Sequence, residues 1–286
     1  MNFSDRQGLA RELQWGAVDQ RLRNAIWNAF LGYRDAVARG DTTFRPRGAS
    51  SSGLGAWTDL LAWIWTDFLA EPRDVLGSER MPFLDGDNYL RRRFFALEWN
   101  EVYDFVEFIA SSDGRFFAGL CNEALLRERA AYRLVEGRVV PIVDDLQRGA
   151  IESAVAASAG LPLVQEHLGT ALARLADRPE PDCRNAAKEA ISAVETLVGM
   201  IAGSPGATLD AGLKLIESRK LLPLHPSLVR SWGALYGYTS DAGIRHGLKD
   251  GQASVGLDEA VYVVVTCSAV VSYLIAVAAK TGVPIQ

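Results

Sequence analysis

The chain has little of what most catalytic centres are built from. Its 286 residues include three histidines and three cysteines. Cys121, Cys183 and Cys267 are odd in number and far apart, with no C-x-x-C. That argues against a disulfide framework and a thiolate zinc site and fits a reducing, cytoplasmic compartment. His167, His225 and His246 form no pair at metal-ligand spacing and H-E-x-x-H is absent, so neither a metal nor another cofactor is expected. There is no G-x-S-x-G elbow, and no strand leads into G-x-G-x-x-G, which removes the commonest hydrolase and dinucleotide-binding signatures. A basic excess is missing too: 30 Lys and Arg stand against 35 Asp and Glu, a net charge of -5. The usual footprint of a protein that coats nucleic acid is therefore lacking, as is any DNA-specific motif. The opening MNFSDRQGLARELQ has no apolar core of a secretory signal.

What is present is apolar and helical. With 49% hydrophobic and 23% charged residues the chain can bury real cores, and its length predicts about two domains. Leu22, Ile26, Ala29 and Phe30 form one stripe, predicting a helix from Asp19 to Ala38. Trp57 to Leu69 and Tyr89 to Ala110 read as two more helices, the second opening on Arg91, Arg92 and Arg93. A basic turn of that kind is either a solvated face or a phosphate contact. AYRLVEGRVVPIVD, from Ala131, alternates around a Glu-Gly turn and predicts a small hairpin. A helix over 144–158 follows, and Gly160 and Pro162 interrupt the pattern, which sets the expected boundary: one domain over 1–160, a second over 161–286.

The second part predicts four main helices, Val164 to Leu175, Asp182 to Ala202, Ser227 to Tyr236 and Asp258 to Lys280, with a short one at Leu209 to Glu217. Short breaks between them point to an antiparallel bundle. The expected fold is thus mainly α: a helical amino-terminal domain with a small β-hairpin, then a four-helix bundle. Asp182 is placed to cap the helix that follows it. Opposite that helix's buried face lie Asn185, Lys188, Glu189, Ser192 and Glu195, read equally well as a solvated face or one wall of a site.

Among the histidines, His167 sits mid-helix as a partly exposed packing residue and His225 stands at a helix start. Arg219 precedes His225 at an R-x5-H spacing, but the intervening KLLPL is apolar and contains Pro223. His246 differs, lying in the polar stretch YGYTSDAGIRHGLKDG with Tyr238, Asp241, Arg245 and Lys249. A neutral imidazole can take the proton of a ribose 2′-hydroxyl and a guanidinium can hold the phosphate, with no metal needed. The plainer reading is a loop ordered by Asp241 and Arg245, with His246 capping a helix.

Two sets of blocks carry a family resemblance. FSDRQGL, LRNAIWNAF, WNEVYDFVEFI and ERAAYRLVEGRVVPI resemble the fourth type of AbiJ amino-terminal domain, found in bacterial abortive-infection proteins. DCRNAAKEAISAVETLVG, LHPSLVRSWGALYGYTSDAGIRHGL and the last helix resemble the helical domain that commonly follows it, a member of the HEPN superfamily. The resemblance implies an up-and-down four-helix bundle, usually a homodimer, in a protein of phage defence. It also implies a metal-independent endoribonuclease that uses Arg, four to six residues, then His. The histidine carries over to His246. The arginine does not: counting back gives Asp241, Ser240 and Thr239, and the nearby Arg245 is adjacent. Helix neighbours diverge by about 100°, so Arg245 and His246 would converge only across two chains.

Two further readings stand beside the nuclease. One is a non-catalytic module that holds a dimer or binds RNA or a partner; residues 178–286, with ten basic and ten acidic side chains, are neutral enough to allow it. The other is a membrane anchor, because Ala260 to Ala279 is twenty uncharged residues long. A helical wheel argues against the anchor. Tyr262, Thr266, Tyr273 and Lys280 share a semi-polar side opposite Val264, Val271, Leu274 and Ile275, the pattern of a bundle helix with a face left for solvent or a partner.

Overall fold

A computed structural model describes residues 12–43, 55–79, 81–112, 114–241 and 255–286. These form eleven α-helices and one two-stranded sheet, in two compact units that divide after Val143.

The first unit begins with α1 (Gln20–Arg39). Asp19 caps it, accepting from the Leu22 N–H at 2.7 Å, and Gly40 ends it in the left-handed conformation at φ 77°. All four residues of the expected stripe are buried. α2 (Ala56–Trp63) runs into a wider π turn at Ile64–Phe68. The segment expected as one helix over 89–110 is two, α3 (Phe83–Ala96) and α4 (Trp99–Ala110). Leu97 between them is extended at ψ 144°, and Glu101 reaches back to accept the Glu98 N–H at 2.6 Å, a capping box that starts a new helix. The apolar period runs on through the break, which is why pattern alone joins the two. α5 (Gly114–Arg127) follows.

Aromatic rings fill this core. Trp27, Phe30 and Phe105 meet Phe94 or one another at centroid distances of 5.1 to 5.2 Å, and Trp63 stacks on Phe108 at 4.0 Å; each such pair adds about 0.5–1.5 kcal/mol beyond its burial. The hairpin pairs β1 (Arg133–Val135) with β2 (Arg138–Val140), antiparallel, Leu134 opposite Val139. Glu136 and Gly137 turn it at φ 48° and 77°, the two positive values of a type I′ turn. Asn122 of α5 ties the hairpin down: it donates to the Leu134 carbonyl at 2.8 Å and accepts the Leu134 N–H at 2.9 Å.

The second unit comprises α6 (Asp145–Ala157), α7 (Pro162–Ala176), α8 (Cys183–Ala202), α9 (Leu209–Ser218), α10 (Pro226–Asp241) and α11 (Leu257–Thr281). α8 is central, packed on α7, α9 and α11, and α11 packs in turn on α6. Ala186, Ala187, Ala190 and Ala193 let neighbouring backbones come close to α8, and Ile191, Val194, Leu197, Val198 and Ile201 fill the space between. Each of the larger five contributes about 1.5–3 kcal/mol by burial.

The bundle's four mutually packed helices are α6, α7, α8 and α11. The expectation named α10 in place of α6. α10 instead lies against α9 and α8, and of its side chains described only Trp232 and Thr239 are buried. α6 stands before Gly160 but buries Ile151 and Ala154 within the second unit, because Asp144 caps it independently of the hairpin, accepting from the N–H groups of Leu146 and Gln147.

Candidate functional site

The start of α8 carries the clearest polar construction in the second unit. Asp182 accepts the Asn185 N–H at 3.2 Å, as expected of its cap position, and the Asn185 side chain donates to the same carboxylate at 2.7 Å. Asn185 is thereby committed to the cap. Lys188, one turn on, is exposed. Glu189 reaches across to α7, where one of its oxygens lies 2.7 Å from Nδ1 of His167. Both side chains are partly exposed, at 31% for His167 and 23% for Glu189. A carboxylate at Nδ1 favours the tautomer that carries its proton on that side and keeps Nε2 as an acceptor. Helical spacing shows neither residue's partner; their meeting follows only once α7 and α8 are antiparallel neighbours.

Three helix ends are coupled electrostatically. Burial raises the Tyr238 phenol near the end of α10 and the Cys183 thiol at the start of α8; Glu259, in the first turn of α11, adds to the rise of Tyr238 and, less than the neighbouring Asp182, to that of Cys183. Its carboxylate also accepts the Gly256 N–H at 2.6 Å, closing the α11 cap. Tyr238 is 40% exposed. Cys183 and Tyr238 therefore both lie within electrostatic reach of Glu259, and Asn185, Lys188 and Glu189 follow Cys183 along α8. Asp241 is the last residue of α10, whereas Arg245, His246 and Lys249 lie outside the described residues.

The alternative histidine pair is occupied elsewhere. His225 Nδ1 accepts the Ser227 N–H at 3.1 Å, as a residue at a helix start does, and Arg219 donates to the Ala202 carbonyl at 3.0 Å, closing the end of α8. Among the described residues no three His, Cys, Asp or Glu are grouped to hold a metal ion.

The family described as AbiJ N-terminal domain 4 matches residues 1–157, more than half of the chain. The chain belongs to this family. No curated protein and no solved structure matches it. The AbiJ-type domain associates the protein with abortive infection. The family match takes in the first unit and also α6, the helix that packs with the second.

Two other features of the AbiJ-type chain bear on function. A cavity of about 590 Å3 lies among α9, the stretch after it and the end of α11, lined by Leu213, Ile216, Leu221, Pro223, Val229 and Thr281. It is far from the polar end, since Thr281 and Leu257 stand at opposite ends of a 25-residue helix, about 36 Å apart. α11 itself is long and apolar enough to cross a membrane, and half of its most apolar window is buried inside the fold. Its exposed side carries Tyr262, Tyr273 and Lys280, with Thr266 half-buried, while Val264, Val271 and Leu274 are buried. Trp232 of α10 meets Tyr273 edge-on at 5.9 Å.

Proposed function

We propose that this AbiJ-type protein is a cytoplasmic abortive-infection effector whose second unit is a HEPN-type bundle acting as a metal-independent endoribonuclease. His246 takes the 2′-hydroxyl proton, and Arg245, contributed across a homodimer, holds the phosphate and its developing charge. Asn185, Lys188, Glu189, Tyr238, Asp241 and Lys249 support the RNA around them. The observation that carries this reading is that Glu259 at the start of α11 is felt both by Tyr238 near the end of α10 and by Cys183 at the start of α8, α10 and α11 being the two helices on either side of the Arg245–His246 pair in sequence. The exposed Tyr262 and Tyr273 on α11 supply a seam for the second copy.

A second reading, a non-catalytic HEPN module that dimerises and binds RNA or a protein partner, is favoured by one specific feature. Asn185 is held by Asp182 and Glu189 faces His167, so Lys188 is the member of that trio whose side chain meets no partner among the described residues. The deciding experiment incubates the purified chain with RNA in EDTA. The nuclease reading expects cleavage that leaves cyclic phosphate ends and is abolished by His246→Ala. Intact RNA with the natural protein, together with unchanged cellular toxicity of His246→Ala, would refute it and leave the binding module.

A further inference from the structure

Arg91, Arg92 and Arg93 lie in the last two turns of α3, in the first unit, and the function proposed above makes no use of them. All three are exposed. None forms an ion pair among the described residues. They meet aromatic side chains instead: Arg91 lies over Phe95 at 4.8 Å, Arg92 over Tyr89 at 6.0 Å, and Arg93 stands 5.9 Å from the Tyr89 ring and hydrogen-bonds its hydroxyl. At 100° per residue the three span the solvent arc of the helix, while Leu90 and Phe94 point inward and are buried. A fourth guanidinium joins them: Arg23 of α1 donates to the Phe94 carbonyl at 3.1 Å, at the same helix end.

The neighbouring carboxylates are already engaged. Glu71 accepts the Tyr89 hydroxyl at 2.6 Å, and Glu98 and Glu101 are spent on each other's backbone in the capping box of α4. The ordinary role of cations at a helix C-terminus accounts for one or two of these arginines through the helix dipole. It does not account for Arg91 and Arg92, exposed guanidinium groups placed over half-buried rings with no carboxylate paired to either among the described residues.

We infer that this face of the AbiJ-type unit binds single-stranded nucleic acid, its arginines contacting successive phosphates and its arginine–aromatic pairs offering flat surfaces to bases. The chemistry favours a nucleic acid over an anionic membrane. The first 143 residues contain eighteen arginines and no lysine, and the guanidinium is the planar cation that forks onto phosphate and stacks on rings. This site is distinct from any cleavage site in the second unit and stands whether or not the protein cuts RNA.

The test is fluorescence anisotropy of the full chain with a labelled 2′-O-methyl oligonucleotide of about twelve nucleotides, which lacks the free 2′-hydroxyl and so reads binding apart from cleavage. R91Q/R92Q/R93Q should bind roughly tenfold more weakly at low salt, and its slope of log affinity against log salt should be shallower by about two. R91K/R92K/R93K should keep the slope yet lose affinity, because the charges remain while the stacking goes. Unchanged melting temperatures certify the fold of both variants. The inference is overturned if the natural protein does not bind the strand, or if the glutamine variant binds it with unaltered affinity and slope. It is equally overturned if the three arginines matter only for sedimentation with phosphatidylserine vesicles. Binding through α3 by a protein that cuts no RNA removes the nuclease and keeps this site; cleavage with arginine-independent binding does the reverse.

Discussion

Gly169 of α7 and Gly212 of α9 receive the same chemical change with opposite expected signs, and the difference comes wholly from what surrounds them. Inside a helix, alanine is favoured over glycine by about 0.8–1 kcal/mol. At Gly169 nothing lies within 4 Å of the place a Cβ would occupy, so Gly169→Ala should gain most of that amount. At Gly212 the new Cβ would stand 2.5 Å from Cγ1 of Val198 on α8, where carbon atoms settle at about 3.5–4.0 Å. Val198 cannot easily give way. It is fully buried and flanked by buried Leu197 and Ile201, and a β-branched side chain in a helix has one strongly preferred rotamer. Overpacking of this kind costs about 1–3 kcal/mol, which outweighs the helical gain and leaves Gly212→Ala destabilising by up to about 2 kcal/mol. Calorimetry of the full chain, which separates the transitions of two units where they differ, should show the second unit melting about 2–4 °C higher or lower per kcal/mol. Val198→Ala alone should cost about 2 kcal/mol for its lost methyls and cavity. The double variant V198A/G212A should be less destabilised than the sum, since the added methyl occupies the space the removed ones left. A Gly212→Ala protein that melts higher, as Gly169→Ala should, or a cycle with no coupling, would show that α8 and α9 do not approach as described.

Asn122→Ala should destabilise the first unit by about 2–4 kcal/mol in denaturant titration, because it strands both backbone groups of Leu134 in the core; a loss under 1 kcal/mol would mean that water reaches them. Asp182→Ala should cost about 1 kcal/mol as a lost cap and also free Asn185, visible as faster amide exchange in the first turn of α8. Burial pushes the Cys121 and Cys267 thiols up to about 12, so at pH 8 roughly one in ten thousand is thiolate. A thiol reagent should therefore label Cys183 first in the native protein and all three only after unfolding. Burial first, then Asp182 and Glu259, raise the Cys183 thiol, so Glu259→Gln should shift the pH dependence of that labelling slightly downward; an upward shift would contradict the placement of the two groups.

How much of this was legible beforehand depended on whether a residue's effect is local. Asp19 and Gly40 bracket α1, Asp182 opens α8, and Glu136 with Gly137 turns the hairpin; each acts within a few residues of itself, so spacing alone reveals it. The break at Leu97 was hidden because apolar residues continue in helical register across it, and the deciding bond, Glu101 to Glu98, competes with a pattern that looks unbroken. α5 was missed for a related reason: Gly114 and Gly119 dilute the helical signal of GRFFAGLCNEALLR, and the helix is held by its contacts with α1 and α4. At the candidate site the residue types of α8 were legible and their partners were not. Asn185 turned back to its own cap, and Glu189 turned outward to a histidine 22 residues away.

α11 shows why composition and packing have to be read together. Twenty uncharged residues satisfy the length of a bilayer span, and nothing in composition distinguishes that from the central helix of a bundle. What distinguishes them is how the two sides of the helix are used. Lipid would meet the surface of α11 all round, and a semi-polar line from Tyr262 through Thr266 and Tyr273 to Lys280 would be wasted there. In the bundle that line is the more exposed part, with Tyr262 61% exposed and Tyr273 meeting Trp232 edge-on, while Val264, Val271 and Leu274 are buried on the other side. Two tyrosines on an otherwise small-residue face, at Ala269 and Ala276, can come close to another surface and still hydrogen-bond at its edge. The helix is therefore apolar for two separate reasons, a buried core on one side and small residues around two exposed tyrosines on the other, and its uniform composition is the sum of the two.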